Sequence, residues 1–152
     1  MKLSVIIPLY NEADSLDRLL NRTQESLDKL AISYEVIAVD DGSSDTTFDL
    51  LIAARSTFPE LKVLQLSRNF GHQAAYTAGM NKSKGQYIAL MDGDLQDPPE
   101  LIGDMYHKIS KEDLDVVYGK RVNVSHPKRR SVLAYSFHKL FKRLYPFVHG
   151  NG

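Results

Sequence analysis

The chain has 152 residues, 43% hydrophobic and 25% charged, the make-up of one soluble domain with a sizeable core rather than of a disordered segment. It contains no cysteine, which excludes disulfides, zinc-thiolate sites and a thiol nucleophile and fits a reducing compartment. The net charge of zero hides an asymmetry: 11 Lys and Arg face 19 acids through Tyr118, whereas from Gly119 onward there are 8 and no acid.

Leu3 to Leu9 is a β-rich apolar run, too short before Pro8 and Glu12 for a signal peptide, and reads as a first strand with Asn11 and Glu12 at its carboxyl end. Leu16, Leu19, Leu20, Leu27 and Leu30 then recur at helical spacing and predict an amphipathic helix from Ala13 to Leu30, its leucine stripe serving the core. Glu35 to Asp40 is a second strand. The D-D-G-S-S-D-T-T after it supplies a Gly turn, with Ser44 or Asp45 as helix N-cap. Capping accounts for Ser43, Ser44 and Asp45. Of the two acids closing the strand, Asp40 and Asp41, one points into the fold and the other either accepts hydrogen bonds from a base or ribose or ends the strand in solvent.

A helix to Phe58 leads to a third strand, Leu61 to Leu66, and then to S-R-N-F-G-H-Q-A-A. Arg68 follows its strand as Glu12 and Asp41 follow theirs, in position to clamp a phosphate or to make a surface ion pair. His72 reads as a cap or contact at a helix start, and Ala74, Ala75, Ala78 and Gly79 as a close-packing face.

The run Tyr87 to Met91 predicts a central strand buried on both faces, ending in D-G-D-L-Q-D-P-P. Side chains two apart point the same way in extended backbone, so Asp92, Asp94 and Gln96 can turn oxygens to one side. Ionised neighbours repel, and a divalent ion such as Mg²⁺ or Mn²⁺ would neutralise them while keeping places open for a diphosphate. An isolated Asp-Gly-Asp is more often a turn. Three strand ends offering polar groups to one rim reverse that weighting, because ligands of open α/β sheets gather at such ends.

Pro98 and Pro99 open a helix to Ile109, with Glu100 favourable in its first turn. Asp115 to Gly119 predicts a fifth strand, with Lys120 and Arg121 at its end. Strands alternating with helices imply a mostly parallel sheet between helical layers. In the tail, Leu133, Phe137, Leu140, Phe141, Leu144 and Val148 share one helical face, opposite Ser136, Lys139 and Arg143. A helix of about 15 residues is too short and polar to cross a bilayer. It can lie on one or dock on protein; the nearby Lys128, Arg129 and Arg130 tip the balance toward an anionic membrane surface or a lipid phosphate.

The blocks V-I-I-P-L-Y-N-E, V-D-D-G-S-S-D-T-T, S-R-N-F-G-H-Q-A-A, M-D-G-D-L-Q-D-P-P-E-L and Y-G-K-R-V, in this order, resemble the family 2 glycosyltransferases of GT-A fold. The nearest likeness is to polyprenyl-phosphate glycosyltransferases such as dolichyl-phosphate mannose synthase and undecaprenyl-phosphate sugar transferases. That resemblance implies an α/β, Rossmann-like GT-A core over residues 1–121 and a basic amphipathic helical segment over 122–152. It further implies a nucleotide pocket lined by Pro8, Tyr10, Glu12 and Asp41, and Asp92 and Asp94 as the Asp-x-Asp pair that contacts the sugar nucleotide and, with Gln96, a metal. Arg121 would lie near the phosphates, completing a catalytic set with Asp92 and Asp94.

The expected partners are a nucleotide-diphosphate sugar donor and a polyprenyl-phosphate acceptor, with no nucleic acid. The expected place is the cytoplasmic side, peripheral at the inner face of the membrane. Family members usually continue into an acceptor motif like D-F-R-L and often into transmembrane helices; the sequence holds neither, so the chain is expected to be either a truncated piece or a naturally short protein, one that can bind the donor even where turnover is lost. Two other readings are a family 2 transferase that elongates a glycan, which would want a carboxylate base, and a non-catalytic nucleotide-sugar-binding module. A dinucleotide-binding oxidoreductase fits poorly, since no G-x-G-x-x-G follows the first strand.

Overall fold

A computed structural model describes residues 1–119, of which Met1–Val117 form a compact unit. Its centre is β1 (Leu3–Leu9), buried along its whole length between β2 (Tyr34–Asp40) and β4 (Tyr87–Leu90), with β3 (Leu61–Gln65) outside β2. The order is β3-β2-β1-β4 and every pairing is parallel, so the predicted α/β sheet is the one observed. The register aligns Leu9 with Asp40 and Asp40 with Gln65, whereas β4 ends level with Ile6. β1 therefore reaches three residues farther than β4, and the chain leaving β4 passes beside Pro8 and Leu9. Lys2 and Ile6 accept N–H groups from Tyr87 and Met91, so alternate residues of β1 face β4. The missing N–H of Pro8 falls beyond the end of β4 and costs no ladder bond.

Alternation sorts the core into two layers. Leu3, Val5, Ile7 and Leu9 face α1 (Leu16–Asp28), α2 (Thr47–Ala54) and α4 (Leu101–Glu112), packing with Leu16, Leu19, Leu27, Leu51 and Ile102. Ile6, Ile37 and Val39 face α3 (His72–Lys82) through Ala75. A Cβ on Gly79 would lie 2.3 Å from Ile6 Cγ2, so this glycine sets how closely α3 approaches. α1 is shorter than its leucine pattern predicts: Ser15 N–H bonds Glu12 O in a turn before it, and Ala31 at φ 52° ends the segment behind it. α2 opens at Thr47 with Thr46 at the N-cap position, and Asp45 Oδ1 accepts the Thr47 N–H at 2.9 Å. Glu100, at the start of α4, is held in a two-pronged pair by Arg22 of α1, at 3.0 and 2.8 Å.

Two expectations are corrected. β4 is not covered on both faces: Tyr87 and Ala89 pack on the large core, but Ile88 and Leu90 are 46% and 52% exposed. α3 packs chiefly on β1 and β2. Nor do residues 115–119 form a strand. α4 ends at Asp113 in left-handed backbone, and Val116 and Tyr118, 74% and 82% exposed, meet no sheet edge among the described residues. β-branched residues favour a strand only when a neighbour supplies the ladder.

At the amino end of the sheet, Glu35 is buried and accepts from Ser4 Oγ at 2.6 Å, the Lys84 N–H at 2.7 Å and Lys62 Nζ. Burial alone would push its carboxyl up; Lys62, Ser4 and the Lys84 amide outweigh it and hold the group below the usual carboxylate range.

Candidate functional site

The carboxyl ends of β1, β2 and β4 meet at a pocket of about 220 Å³ lined by Pro8, Leu9, Tyr10, Glu12, Asp41, His72, Asp92, Gly93 and Asp94. Ligand pockets commonly enclose about 300–1,000 Å³, so a nucleotide sugar would fill this one and extend over the open rim. Six of the residues expected at the site, Pro8, Tyr10, Glu12, Asp41, Asp92 and Asp94, are brought together here. Arg68 and Gln96 do not line it: both are exposed, and the Arg68 guanidinium lies 4.7 Å from the centre of the Phe70 ring. Arg121, Lys128, Arg129 and Arg130 lie outside the described residues, as does the tail helix.

Each wall is fixed by its own local chemistry. Asn11, at φ 54°, turns the chain after β1, and its Oδ1 accepts from the Ser44 N–H at 2.8 Å and the Asp45 N–H at 3.3 Å. Thr47 Oγ1 accepts the Glu12 N–H at 2.9 Å. Ser43 Oγ accepts the Asn11 N–H at 3.0 Å, so Ser43, Ser44 and Asp45 together knot the two loops, a structural role of the kind their sequence suggests, though wider than capping. The Glu12 carboxylate is steadied by Ser15 Oγ at 2.9 Å.

Asp41 is buried, and both of its oxygens are used. Oδ1 accepts the Phe70 N–H at 2.8 Å and Oδ2 the Gly71 N–H at 2.9 Å, pinning the loop that enters α3. Gly42 makes this approach possible: it sits at φ 68°, and a Cβ there would lie 2.4 Å from the Arg68 carbonyl carbon. Asp40 points into the fold; its Oδ1 meets the Ser43 N–H at 3.3 Å, and its buried Oδ2 has no hydrogen-bond partner among the described residues.

The D-G-D turn packs onto β1 through its glycine, where a Cβ would come within 2.5 Å of Leu9 Cδ2 and 3.0 Å of the Pro8 carbonyl. This contact sets Asp92 and Asp94 beside Pro8 and Leu9. Asp92 Oδ1 accepts from Tyr76 OH at 2.7 Å and from His72 Nε2–H at 2.9 Å. Burial first, then the bond to Asp92, pushes the Tyr76 hydroxyl well above the ordinary phenol range, so it stands as a donor at neutral pH. Asp94 Oδ1 accepts the Gln96 N–H at 3.0 Å, which closes the turn on itself. Sequence reasoning assigned no role to Tyr76 and only a local one to His72; the H-x-x-x-Y spacing at the start of α3, which puts both rings on one helix face, was the available signal.

Among the described residues, four carboxylates, Glu12, Asp41, Asp92 and Asp94, share this pocket with a single imidazole. Left to themselves they repel a diphosphate. Among the described residues no three His, Asp or Glu side chains are grouped to enclose a metal ion. Asp92 and Asp94 nevertheless supply hard oxygen donors, and a two-carboxylate set suits a Mg²⁺ or Mn²⁺ ion that completes its coordination with water and phosphate oxygens. The residues fit such an ion.

The family model described as "Glycosyl transferase family 2" matches residues 4–151. An uncharacterized glycosyltransferase of Synechocystis sp. is 44% identical over 121 residues, covering 80% of this chain and 38% of that protein. The undecaprenyl-phosphate 4-deoxy-4-formamido-L-arabinose transferase of Yersinia pestis is 43% identical over 124 residues, covering 80% and 37%. The chain thus spans less than two fifths of these relatives. Among solved structures, S. aureus TarS 1–349 in complex with UDP-GlcNAc superposes with a TM-score of 0.61 at 30% identity, over 84% of this chain and 38% of that one.

Proposed function

Because the chain belongs to glycosyl transferase family 2, we propose that it carries the donor-binding site of a metal-dependent, inverting transferase that moves a sugar from a nucleotide-diphosphate sugar to a polyprenyl phosphate. The observation that carries this reading is the convergence of Glu12, Asp41, Asp92 and Asp94, from three strand ends, on one pocket. Such an acidic cleft accepts a diphosphate only with a counter-ion. Two relatives lend support: the Yersinia pestis protein is named for an undecaprenyl-phosphate acceptor, and TarS is seen with UDP-GlcNAc.

In this reading Pro8, Tyr10, Glu12 and Asp41 form the nucleotide end, and Asp92 and Asp94 hold the divalent ion. Bound there, Mg²⁺ or Mn²⁺ supplies positive charge to the departing diphosphate. The bond from the anomeric carbon to the diphosphate oxygen breaks with its electron pair leaving on that oxygen, and an oxygen of the lipid phosphate bonds to the same carbon from the opposite face. A phosphate monoester is largely ionised at neutral pH, so no side chain need take a proton, whereas a hydroxyl acceptor would need a base. The basic residues from Lys120 onward suit an anionic lipid surface, and the chain would work peripherally at the cytoplasmic face. Among the described residues no helix is long and apolar enough to cross a membrane.

The test is transfer of label from a panel of radiolabelled UDP- and GDP-sugars, in Mn²⁺, to undecaprenyl phosphate. Label in the lipid phase supports the reading; label in soluble glycan overturns its acceptor half. Nucleotide binding without transfer marks a binding module instead. By calorimetry, Asp94→Asn should cost at least about tenfold in Mn²⁺-dependent affinity for the nucleoside diphosphate, and unchanged affinity removes Asp94 from the ion's shell.

A further inference from the structure

Two donors from one helix face converge on a single oxygen of the first carboxylate of the D-G-D turn. His72 opens α3 and Tyr76 stands one turn later; their rings meet edge to face, with centroids 5.1 Å apart and an interplanar angle of 77°. Both reach Asp92 Oδ1, at 2.9 and 2.7 Å. The helix that carries them is anchored at its entry by Asp41, which grips the Phe70 and Gly71 amides. Asp41 and Asp92 sit at the ends of different strands, and the start of α3 joins them mechanically.

We propose that His72 and Tyr76 are positioning residues for Asp92: from the Asp41-anchored start of α3 they fix the rotamer at which its carboxylate is presented to the cation-bridged diphosphate. The inference rests on the metal-dependent donor-binding reading above and deepens it. A freely turning Asp92 would spend conformational freedom each time it engaged an ion, and two converging donors spend it in advance. They also draw charge from Asp92, easing its repulsion with Asp94 two residues away. A carboxylate oxygen has two lone pairs, and the two donors occupy both at Oδ1. The body of Tyr76 packs against the layer of Ile6, Ile37, Val39 and Ala75.

The experiment uses the full chain with a panel of nucleoside diphosphates (UDP, GDP, ADP, CDP), titrated by calorimetry in Mn²⁺ and again in EDTA. The readout is the ratio of the two affinities. Tyr76→Phe keeps the ring pair and removes the hydroxyl; His72→Ala removes the imidazole, and His72→Gln restores a side-chain N–H near the place of Nε2. If the residues position Asp92, Tyr76→Phe and His72→Ala each lower the ratio of Mn²⁺ to EDTA affinity by about tenfold, and His72→Gln recovers much of the loss. A merely structural role would depress both affinities by the same factor, which would overturn the proposal. So would an unchanged ratio. If the wild-type chain binds no nucleoside diphosphate in Mn²⁺, it is the donor-binding reading itself that fails.

Discussion

Asp41→Asn separates a residue kept for a ligand from one that also builds the pocket. The substitution is nearly isosteric, but Asp41 accepts one backbone N–H on each oxygen, from Phe70 at 2.8 Å and Gly71 at 2.9 Å. Asparagine keeps one acceptor and turns an NH₂ toward the other amide. One charge-assisted bond becomes neutral, and the second is replaced by two donors facing each other at a buried position. Losing a hydrogen bond to a charged group costs about 1.5–3 kcal/mol, and stranding a buried amide about 1–3 kcal/mol. Part of this is recovered as the exposed Phe70 loop relaxes, so the expected loss is about 2 kcal/mol, a fall in melting temperature of roughly 6 °C for a chain of this size. The assay is urea and thermal unfolding without ligand, with the circular dichroism of the folded state as a control. A variant as stable as the wild type to within about 0.5 kcal/mol would refute the reasoning, because a carboxylate kept solely for a nucleotide leaves the unliganded protein indifferent to its loss.

Gly42→Ala should be worse than an ordinary strained substitution, since it adds a Cβ both at φ 68° and 2.4 Å from the Arg68 carbonyl carbon; a loss of about 3 kcal/mol in urea unfolding, together with weaker nucleotide binding, is expected. Glu35→Ala takes from the Ser4 hydroxyl, the Lys84 amide and the Lys62 ammonium the carboxylate they share at the far end of the sheet and should cost about 3 kcal/mol without touching nucleotide affinity, which parallel unfolding and calorimetry will check. Because the Glu35 carboxyl is held below its unfolded value, its contribution is present above the usual carboxylate range and lost as pH falls through the lower folded value. A urea midpoint profile from pH 7 downward should therefore drop less steeply in Glu35→Gln than in the wild type.

Much of this was legible in the sequence because periodicity is a record of burial. Leu16, Leu19, Leu20 and Leu27 are spaced as they are because they meet β1 and β2, and all four are buried. The acidic strand ends were legible for the same reason: a polar residue directly after a buried run marks the rim. What escaped is whatever depends on a partner far along the chain. Ile88 and Leu90 look like core in Y-I-A-L-M, yet both stand about half exposed. D-V-V-Y-G has strand propensity but no ladder partner among the described residues. Asp41 reads as a ligand group, yet its nearest acceptor duty is to amides 29 and 30 residues away. Tyr76 was invisible as a site residue until the turn bearing Asp92 came to rest against it.

The outer flank of β4 has a practical consequence. Its backbone pairs only with β1 among the described residues, and Ile88 and Leu90 stand beside that unpaired row. An apolar strand with open amides is a template for another strand to add to. A recombinant piece cut at Val117 therefore invites self-association in proportion to its concentration, and a lysine in place of Ile88 or Leu90 is the simplest guard against it.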